Sequence, residues 1–352
     1  MIMYFDGYDF DNNGVADYTY QTVTGYTNSP VYNLTGNVTG TRTKILGTTS
    51  TFQTSVTFYD KYNHAIQTRT DNYLSGQGVV TSEFAFSGEV KKTNHQQSIN
   101  GTVPTITTDE SFIYDHARRL KESWLAISPA AEVNTLTLAY NELGQLVSKK
   151  LHVSGATYAQ KVDYTYNIRG WLKTINNPDN LLITTENDAF GMRLLFNDVS
   201  ALTATGVTPT VNYNGNIAGT IWQNSNDKKL AAYSYGYDAL SRINSGNYAE
   251  KATDWAILTG SGYSENGIQY DKNGNIKNLT RYSQTALMDN LTYDYGSGTA
   301  SGNKLLSVQD AGLKTDGFID NANTSDEYGY DANGNLTRDD NKGITAIEYN
   351  GT

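Results

Sequence analysis

The sequence predicts an all-β chain of consecutive antiparallel hairpins, and three observations predict it. First, a phrase of the form aromatic-x-Tyr-Asp-x-x-Gly-x-Leu/Ile returns along the chain. Its clearest copies are Tyr270-Asp271-Lys272-Asn273-Gly274-Asn275-Ile276 and Tyr330-Asp331-Ala332-Asn333-Gly334-Asn335-Leu336. Looser copies begin at Tyr114, Tyr140, Tyr166 and Tyr237. Second, 27 Tyr and 32 Gly stand against 5 Pro, a balance that suits strands and their turns. Third, polar and aromatic residues alternate: Tyr164 and Tyr166 fall on one face of a strand and Thr165 on the other.

Taken in order, residues 1–55 read as an N-terminal β segment with an Asp/Asn-rich loop, itself an earlier, degenerate repeat. Phe5 to Tyr20 is rich in Asp, Asn and Gly, and Val31 to Thr57 is Thr-dense and broken at Gly36, Gly40 and Gly47. Residues 56–352 read as the hairpin array. Ser55 to Asp60 is a strand entering a turn in which Asn63-His64 stands where glycine is expected, so this copy reads as degenerate. Glu83-Phe84-Ala85-Phe86 and Val90 to Thr93 form a strand pair around Ser87-Gly88. From Phe112 the rhythm is regular, with Tyr114, Tyr140 and Tyr166 spaced by 26 residues, enough for two strands and two turns. Trp124 to Ile127, ended by Ser128-Pro129, reads as a loop or a helical turn. Thr253 to Leu258 is a weak helix candidate. Gly296 to Ala300 reads as a flexible turn, followed by a strand over Lys304 to Val308.

The turn has a physical account. The Asp or Asn after the tyrosine accepts bonds from backbone N–H groups two or three residues on, and glycine then supplies a positive φ. Asn167 and Gly170 hold these places in the Tyr166 copy, as Asp271 with Gly274 and Asp331 with Gly334 hold them in the clearest two. The tyrosine ring offers apolar area with a hydroxyl that can reach a partner. Repeats of this kind make walls, spacers and binding surfaces more often than catalysts.

Net charge is −10, which disfavours attraction to nucleic-acid phosphates and to anionic membrane surfaces. No apolar run reaches bilayer length, so no membrane insertion is expected. The chain has no Cys, which removes disulfides and thiolate chemistry from consideration. The opening Met1-Ile2-Met3-Tyr4-Phe5-Asp6 lacks the form of a signal peptide. The chain is therefore expected to be intracellular or a piece of a larger exported protein, and the repeat-like text at Glu348 to Thr352 favours the second.

With the repeats laid out, the chain resembles the Rhs/YD-repeat family, in the form common in Bacteroidota. Tyr166-Asn167-Ile168-Arg169-Gly170-Trp171-Leu172, the run Asn266 to Ile276, the run Asp326 to Leu336, and Asn341-Lys342-Gly343-Ile344 carry the likeness, over roughly Val56 to Gly351. The resemblance implies a ribbon of hairpins forming a curved or spiralling sheet, part of a hollow shell. It implies a non-catalytic role in a secreted or cell-surface protein, with the shell enclosing or presenting a C-terminal effector. The partners so implied are the remaining repeats, an associated core region and a C-terminal domain, often toxic, of the same full-length protein. The core region's Asp-Pro-rich cleavage text is absent from this sequence, so no autoproteolytic residue is carried over.

Asp9, Asp11, Asn13 and Asp17 match positions 1, 3, 5 and 9 of a calcium loop, with Gly14 at the sharp turn. Position 12 is Tyr20 rather than Glu and the flanks look like strands, so the same text also reads as a plain hairpin turn. His64, His95, His116 and His152 are scattered and show no zinc spacing. Carboxylates recur at Asp60, Asp115, Asp238, Asp271, Asp294 and Asp331. Identical placement argues for one structural role, whereas a glycosidase needs two carboxyl groups in unlike settings. No catalytic residue and no organic cofactor is expected. Trp171, Trp222, Tyr233, Tyr235 and Tyr237 either pack a sheet face or form a stacking platform for a surface glycan or protein. The platform would make the chain an adhesin-like module.

Overall fold

The structure, a computed structural model, describes residues 1–48, 51–101, 103–181, 188–202, 209–226, 229–251, 255–257, 262–296, 302–313, 315–322 and 324–349. The chain falls into two compact units, Met1–Val162 and Asp163–Thr352. Both are built of antiparallel strands joined in chain order.

In the first unit β1 (Ile2–Phe5), β2 (Val38–Lys44), β3 (Phe52–Tyr59), β4 (Ala65–Asp71) and β5 (Gln77–Phe84) each pair with the next. The order continues through β6 (Val90–Gln97), β7 (Ile106–Tyr114), β8 (Leu120–Ile127), β9 (Val133–Tyr140) and β10 (Leu146–Ser154). Position 55/56 lies inside β3. Trp124 to Ile127, read above as loop or helical turn, is the end of β8; the proline closes the strand rather than preventing it.

β11 (Thr157–Tyr166) crosses the division. In the second unit its end pairs with β12 (Leu172–Ile175), and the order runs on through β13 (Phe190–Leu195), β14 (Gly219–Asn224), β15 (Leu230–Tyr237) and β16 (Ile243–Lys251). The next edge is shared: β17 (Trp255–Ile257) pairs with the end of β16, and β18 (Glu265–Tyr270) meets it at Gly246. β19 (Ile276–Tyr282), β20 (Leu287–Asp294) and β21 (Ser307–Asp310) follow, and β22 (Tyr328–Tyr330) with β23 (Leu336–Asp339) forms a separate hairpin. The helix candidate at 253–258 is thus strand where it is described, its ends lying outside the described residues. Of the expected turn at 296–300, only Gly296 is described, with φ 80°. The strand expected from Lys304 begins at Ser307.

One hairpin geometry recurs. The residue before the turn pairs with the residue six positions on: Tyr59 with Ala65, Asp71 with Gln77, Phe84 with Val90, Tyr114 with Leu120, Tyr140 with Leu146. Tyr166 with Leu172, Tyr237 with Ile243, Tyr270 with Ile276 and Tyr330 with Leu336 follow suit. The fourth residue of each described turn has a positive φ. Gly274 has φ 92° and Gly334 has φ 88°. Asn63, Arg118 and Ser241 take the same region at 64°, 64° and 63°. The Asp60 turn is therefore intact despite its missing glycine, because Asn tolerates the left-handed region.

An added Cβ at Gly274 meets nothing within 4 Å, and at Gly334 it meets only Lys304 Cε at 3.7 Å. The cost of a β-branched residue there is then purely conformational. Gly334→Val is expected to lose about 1–3 kcal/mol, whereas Gly334→Asn should lose much less. Thermal unfolding checks this, and an equal loss for both variants would show that φ is not the cause.

In the first unit the segment between β1 and β2 crosses one face of the following strands as a cover. A row of opposed residues, Phe58, Gln67, Thr81 and Asn94, floors that face. Tyr8, Val56, Phe58 and Ile66 make the core, packed by Phe10, Tyr18, Tyr20, Leu34 and Phe84. Gln67, 1% exposed, treats the cover as a strand: its amide accepts from Gln21 N at 2.9 Å and donates to Gln21 O at 2.7 Å. Asn28 Nδ2 donates to Ser82 O at 2.7 Å and Tyr8 to Thr57 O at 3.1 Å. The second unit's core, Leu195, Leu202, Ile221, Ala232 and Ala249, lies on one face of β13 to β16.

Candidate functional site

The recurrent turn is the most developed constellation in the molecule. At Asp271, Oδ1 accepts from the backbone N–H of Asn273 at 2.8 Å and of Asn275 at 2.9 Å, and Oδ2 accepts from Asn275 Nδ2 at 2.8 Å. Asp331 repeats this with Asn333 and Asn335. Asn167 Oδ1 takes Arg169 N and Trp171 N at 2.9 and 3.0 Å, with Gly170 at φ 80° between them. At Asp115 and Asp238 the fifth residue is Arg, whose Nε reaches Oδ2 at 2.7 Å in both. Asp60 uses His64 Nδ1 at 2.9 Å. The consequences for protonation agree. The Arg119 side chain holds Asp115 below the usual carboxylate range, as Asn335 does for Asp331. At Asp271 burial pushes upward, but Asn275 and the turn amides outweigh it.

Each tyrosine reaches back one hairpin. Its hydroxyl donates to the carbonyl of the residue just after the preceding turn: Tyr114 to Val90 at 2.9 Å, Tyr140 to Leu120 at 2.8 Å and Tyr270 to Ile243 at 2.7 Å. Tyr330 to Leu305 at 3.1 Å and Tyr349 to Leu336 at 2.7 Å continue the series. The fifth residue of one turn then lies over the next aromatic ring. His64 stacks on Phe84 with centroids 4.6 Å apart, and the Arg119 and Arg242 guanidinium groups sit 4.5 and 4.4 Å from the Tyr140 and Tyr270 centroids. Asp, fifth residue and the next tyrosine therefore form one lock between neighbours, and these carboxylates are spent on it. Tyr270→Phe keeps the ring and removes the hydroxyl. It is expected to cost about 0.5–1 kcal/mol, read as a lower urea midpoint at unchanged slope.

Two further turns of this register lie at Asn72 and Ala85. Asn72 Oδ1 accepts from Leu74 N and Gly76 N at 3.0 and 2.9 Å. Ala85 has no acceptor side chain, yet its backbone closes on Glu89 and Gly88 at 2.7 and 3.0 Å. Sequence reasoning missed both as repeats. The first follows Asp71 rather than an aromatic, and the second lacks the Asp; Phe84 and Gly88 were its available signals.

A buried polar hub was also missed. Glu327 is 0% exposed. Its Oε2 accepts from Val308 N at 2.9 Å and Asn341 Nδ2 at 2.8 Å, and its Oε1 from Thr324 N and Gln309 Nε2, both at 3.2 Å. Asn341 Oδ1 accepts in turn from Asn321 N and Ala322 N at 3.0 and 3.1 Å. Asp339 caps the short 3₁₀ turn Asp340–Lys342, which ends at Gly343 with φ 66°. The phrases Asp326 to Leu336 and Asn341 to Ile344 are thus bonded to one another.

At the N-terminal loop one oxygen each of Asp9, Asp11 and Asp17 lies within 4.8 Å of the others, Asp9 being half-buried and the other two exposed. This small group could coordinate a divalent cation. The loop is already closed by its own amides: Gly14 N and Asn13 N donate to the two oxygens of Asp9 at 2.7 and 3.1 Å, and Phe10 N to Asp17 Oδ2 at 2.6 Å. Asn13 is bonded within the same loop: its Nδ2 donates to Asp11 Oδ2 at 2.9 Å and its Oδ1 accepts from Val15 N at 2.9 Å.

The aromatic residues split. Trp222, Tyr233 and Tyr248 lie on the face of β14 to β16 opposite the core. Trp222 stacks on Tyr233 at 5.5 Å and 18°, Tyr233 on Tyr235 at 6.0 Å and 17°, and Tyr248 meets Tyr233 edge-on at 5.5 Å. Of this row Tyr248 is buried, and Trp222, Tyr233 and Tyr235 are partly exposed. Trp171 packs on Phe196 at 5.1 Å under Arg169, and Tyr237 bonds Ile217 O at 2.8 Å.

No family model matches the chain, and no curated protein does. Among solved structures, the Tc holotoxin pore of Photorhabdus luminescens, with a TccC3 mutation, matches 80% of this chain and 18% of its own, at 11% identity and TM-score 0.24. A TcdB2–TccC3–Cdc42 complex matches 75% of this chain and 19% of its own, at 11% identity and TM-score 0.21. The chain thus spans less than a fifth of either.

Proposed function

We propose that this chain is wall: a non-catalytic segment of a secreted or cell-surface Rhs/YD-repeat protein, whose hairpins enclose or present a C-terminal effector domain. The observation that carries this reading is the lock between neighbouring hairpins. One turn and one tyrosine bond recur along the chain, and the repeated carboxylates close turns instead of facing a substrate. The motif phrases that resemble Bacteroidota-type repeats support the same reading. Its partners are then the remaining repeats, core region and C-terminal domain of its own full-length protein. The test is limited proteolysis of the chain produced with the segment that follows it in the reading frame. That segment should survive digestion in company and be cut when made alone. Equal cutting in both cases would defeat the enclosing role. A glycan array signal abolished by changing exposed aromatics to Ala would favour the adhesin-like alternative.

The Asp9 loop fits the wall as a calcium-tightened corner. Calcium in the range of about 10⁻⁴–10⁻³ M, typical of extracellular sites, should raise the unfolding temperature. The double change Asp9→Asn with Asp11→Asn should remove that rise. A midpoint indifferent to calcium would leave the loop as a plain turn.

A further inference from the structure

We propose that Asn214 is a self-activated deamidation site, a covalent ageing point built into the loop between β13 and β14. Asn-Gly sequences cyclise when the glycine nitrogen attacks the asparagine side chain, and a fold permits this only where that N–H is unoccupied. Four described Asn-Gly pairs outside strands hold it. Gly14 N donates to Asp9 Oδ2 at 2.7 Å, Gly101 N to Ser75 O at 2.9 Å, Gly274 N to Asp271 O at 3.2 Å and Gly334 N to Asp331 O at 3.1 Å. Gly215 N meets no acceptor among the described residues, although its φ of 105° is close to the 111° of Gly101, whose N–H is held.

The rest of Asn214 is arranged for the reaction. Its Oδ1 accepts from Asn216 N at 3.0 Å, a donor placed where negative charge develops as Cγ becomes tetrahedral. Its Nδ2, the leaving nitrogen, lies 3.1 Å from Ser241 Oγ, a hydroxyl able to hand over a proton on departure. Asn214 is exposed, so water reaches it. Asn13 is an internal control. Its Oδ1 is polarised in the same way by Val15 N at 2.9 Å, but its glycine N–H is held.

The step balances without any oxidant. Gly215 N gives its proton to solvent base and bonds to Asn214 Cγ. The Cγ–Nδ2 bond breaks, and the nitrogen leaves as ammonia with a proton relayed by Ser241. One water then opens the cyclic imide at either carbonyl, leaving aspartate or isoaspartate at 214. The product adds a negative charge beside the loop that Arg169 holds through Tyr213 O at 2.6 Å.

The test is incubation of the folded chain in mildly alkaline buffer, then peptide mass spectrometry resolving Asn, Asp and isoaspartate. Asn214 should convert at least about tenfold faster than Asn13, Asn100, Asn273 and Asn333, the factor that one retained hydrogen bond at the glycine N–H implies. In denaturant the five rates should converge. Ser241→Gly suits that residue's positive φ and should slow Asn214 alone, with circular dichroism unchanged. Equal rates in the folded chain, or a lead for Asn214 that persists in denaturant, would overturn the proposal.

Discussion

Glu327→Ala is expected to cost about 2–4 kcal/mol, the range for leaving more than one donor unsatisfied at about 1–3 kcal/mol each. Four donors converge on this carboxylate, from Val308, Asn341, Thr324 and Gln309. Without it the buried Val308 N–H loses its acceptor, and the Asn341 amide keeps only the Tyr328 hydroxyl at 3.5 Å. Glu327→Gln should not rescue, since each carboxylate oxygen faces two donors and an amide must turn its NH₂ toward one pair. Urea unfolding of the three proteins is the check. A Gln variant as stable as the parent would show that the hub tolerates a donor and that its charge is dispensable.

The second large effect is collective. Burial raises the phenol pKa of Tyr8, Tyr26, Tyr233 and Tyr248, with Tyr233 pushed up to about 12. Tyr59, Tyr114 and Tyr237, which donate to a preceding carbonyl, are raised by burial as well. A phenol raised on folding binds its proton more tightly in the native state. Its contribution is therefore whole below the unfolded value of about 10 and is lost as pH rises through the folded values. Many such groups acting together should give one cooperative alkaline transition. The phenolate absorbance of these buried tyrosines and the β signal in circular dichroism should change together, above pH 10. A gradual phenolate rise centred near pH 10 over an unchanged β signal would contradict this.

How much was legible follows from range. The turns were readable because their chemistry is local: the Asp, the positive-φ residue and the strand that follows lie within seven consecutive residues, as in Tyr270 to Ile276. The copies passed over, Asn72 and Ala85, each lack one local mark while keeping the backbone course. Trp124 to Ile127 was misjudged because a nearby proline outweighed a continuous apolar run. What lay beyond reach was long-range. Nothing around Gln67 announces that it will bind Gln21, and a glutamate in a polar run such as Ser325-Asp326-Glu327 looks solvated until Asn341 arrives. The cation candidate was legible from spacing, which brings Asp9, Asp11 and Asp17 together, but spacing did not tell that the loop's own amides would already bond those oxygens.

The tyrosine bonds have a consequence for assembly. Those of the turn tyrosines Tyr114, Tyr140, Tyr270, Tyr330 and Tyr349 all point the same way along the chain, from a later hairpin to the one before it, so in these bonds a hairpin supplies the acceptor its successor needs. The array therefore has a sense of growth. It can close like a zip from the N-terminal end, each new hairpin finding its seat already formed, in the order in which residues leave a ribosome or a translocation channel.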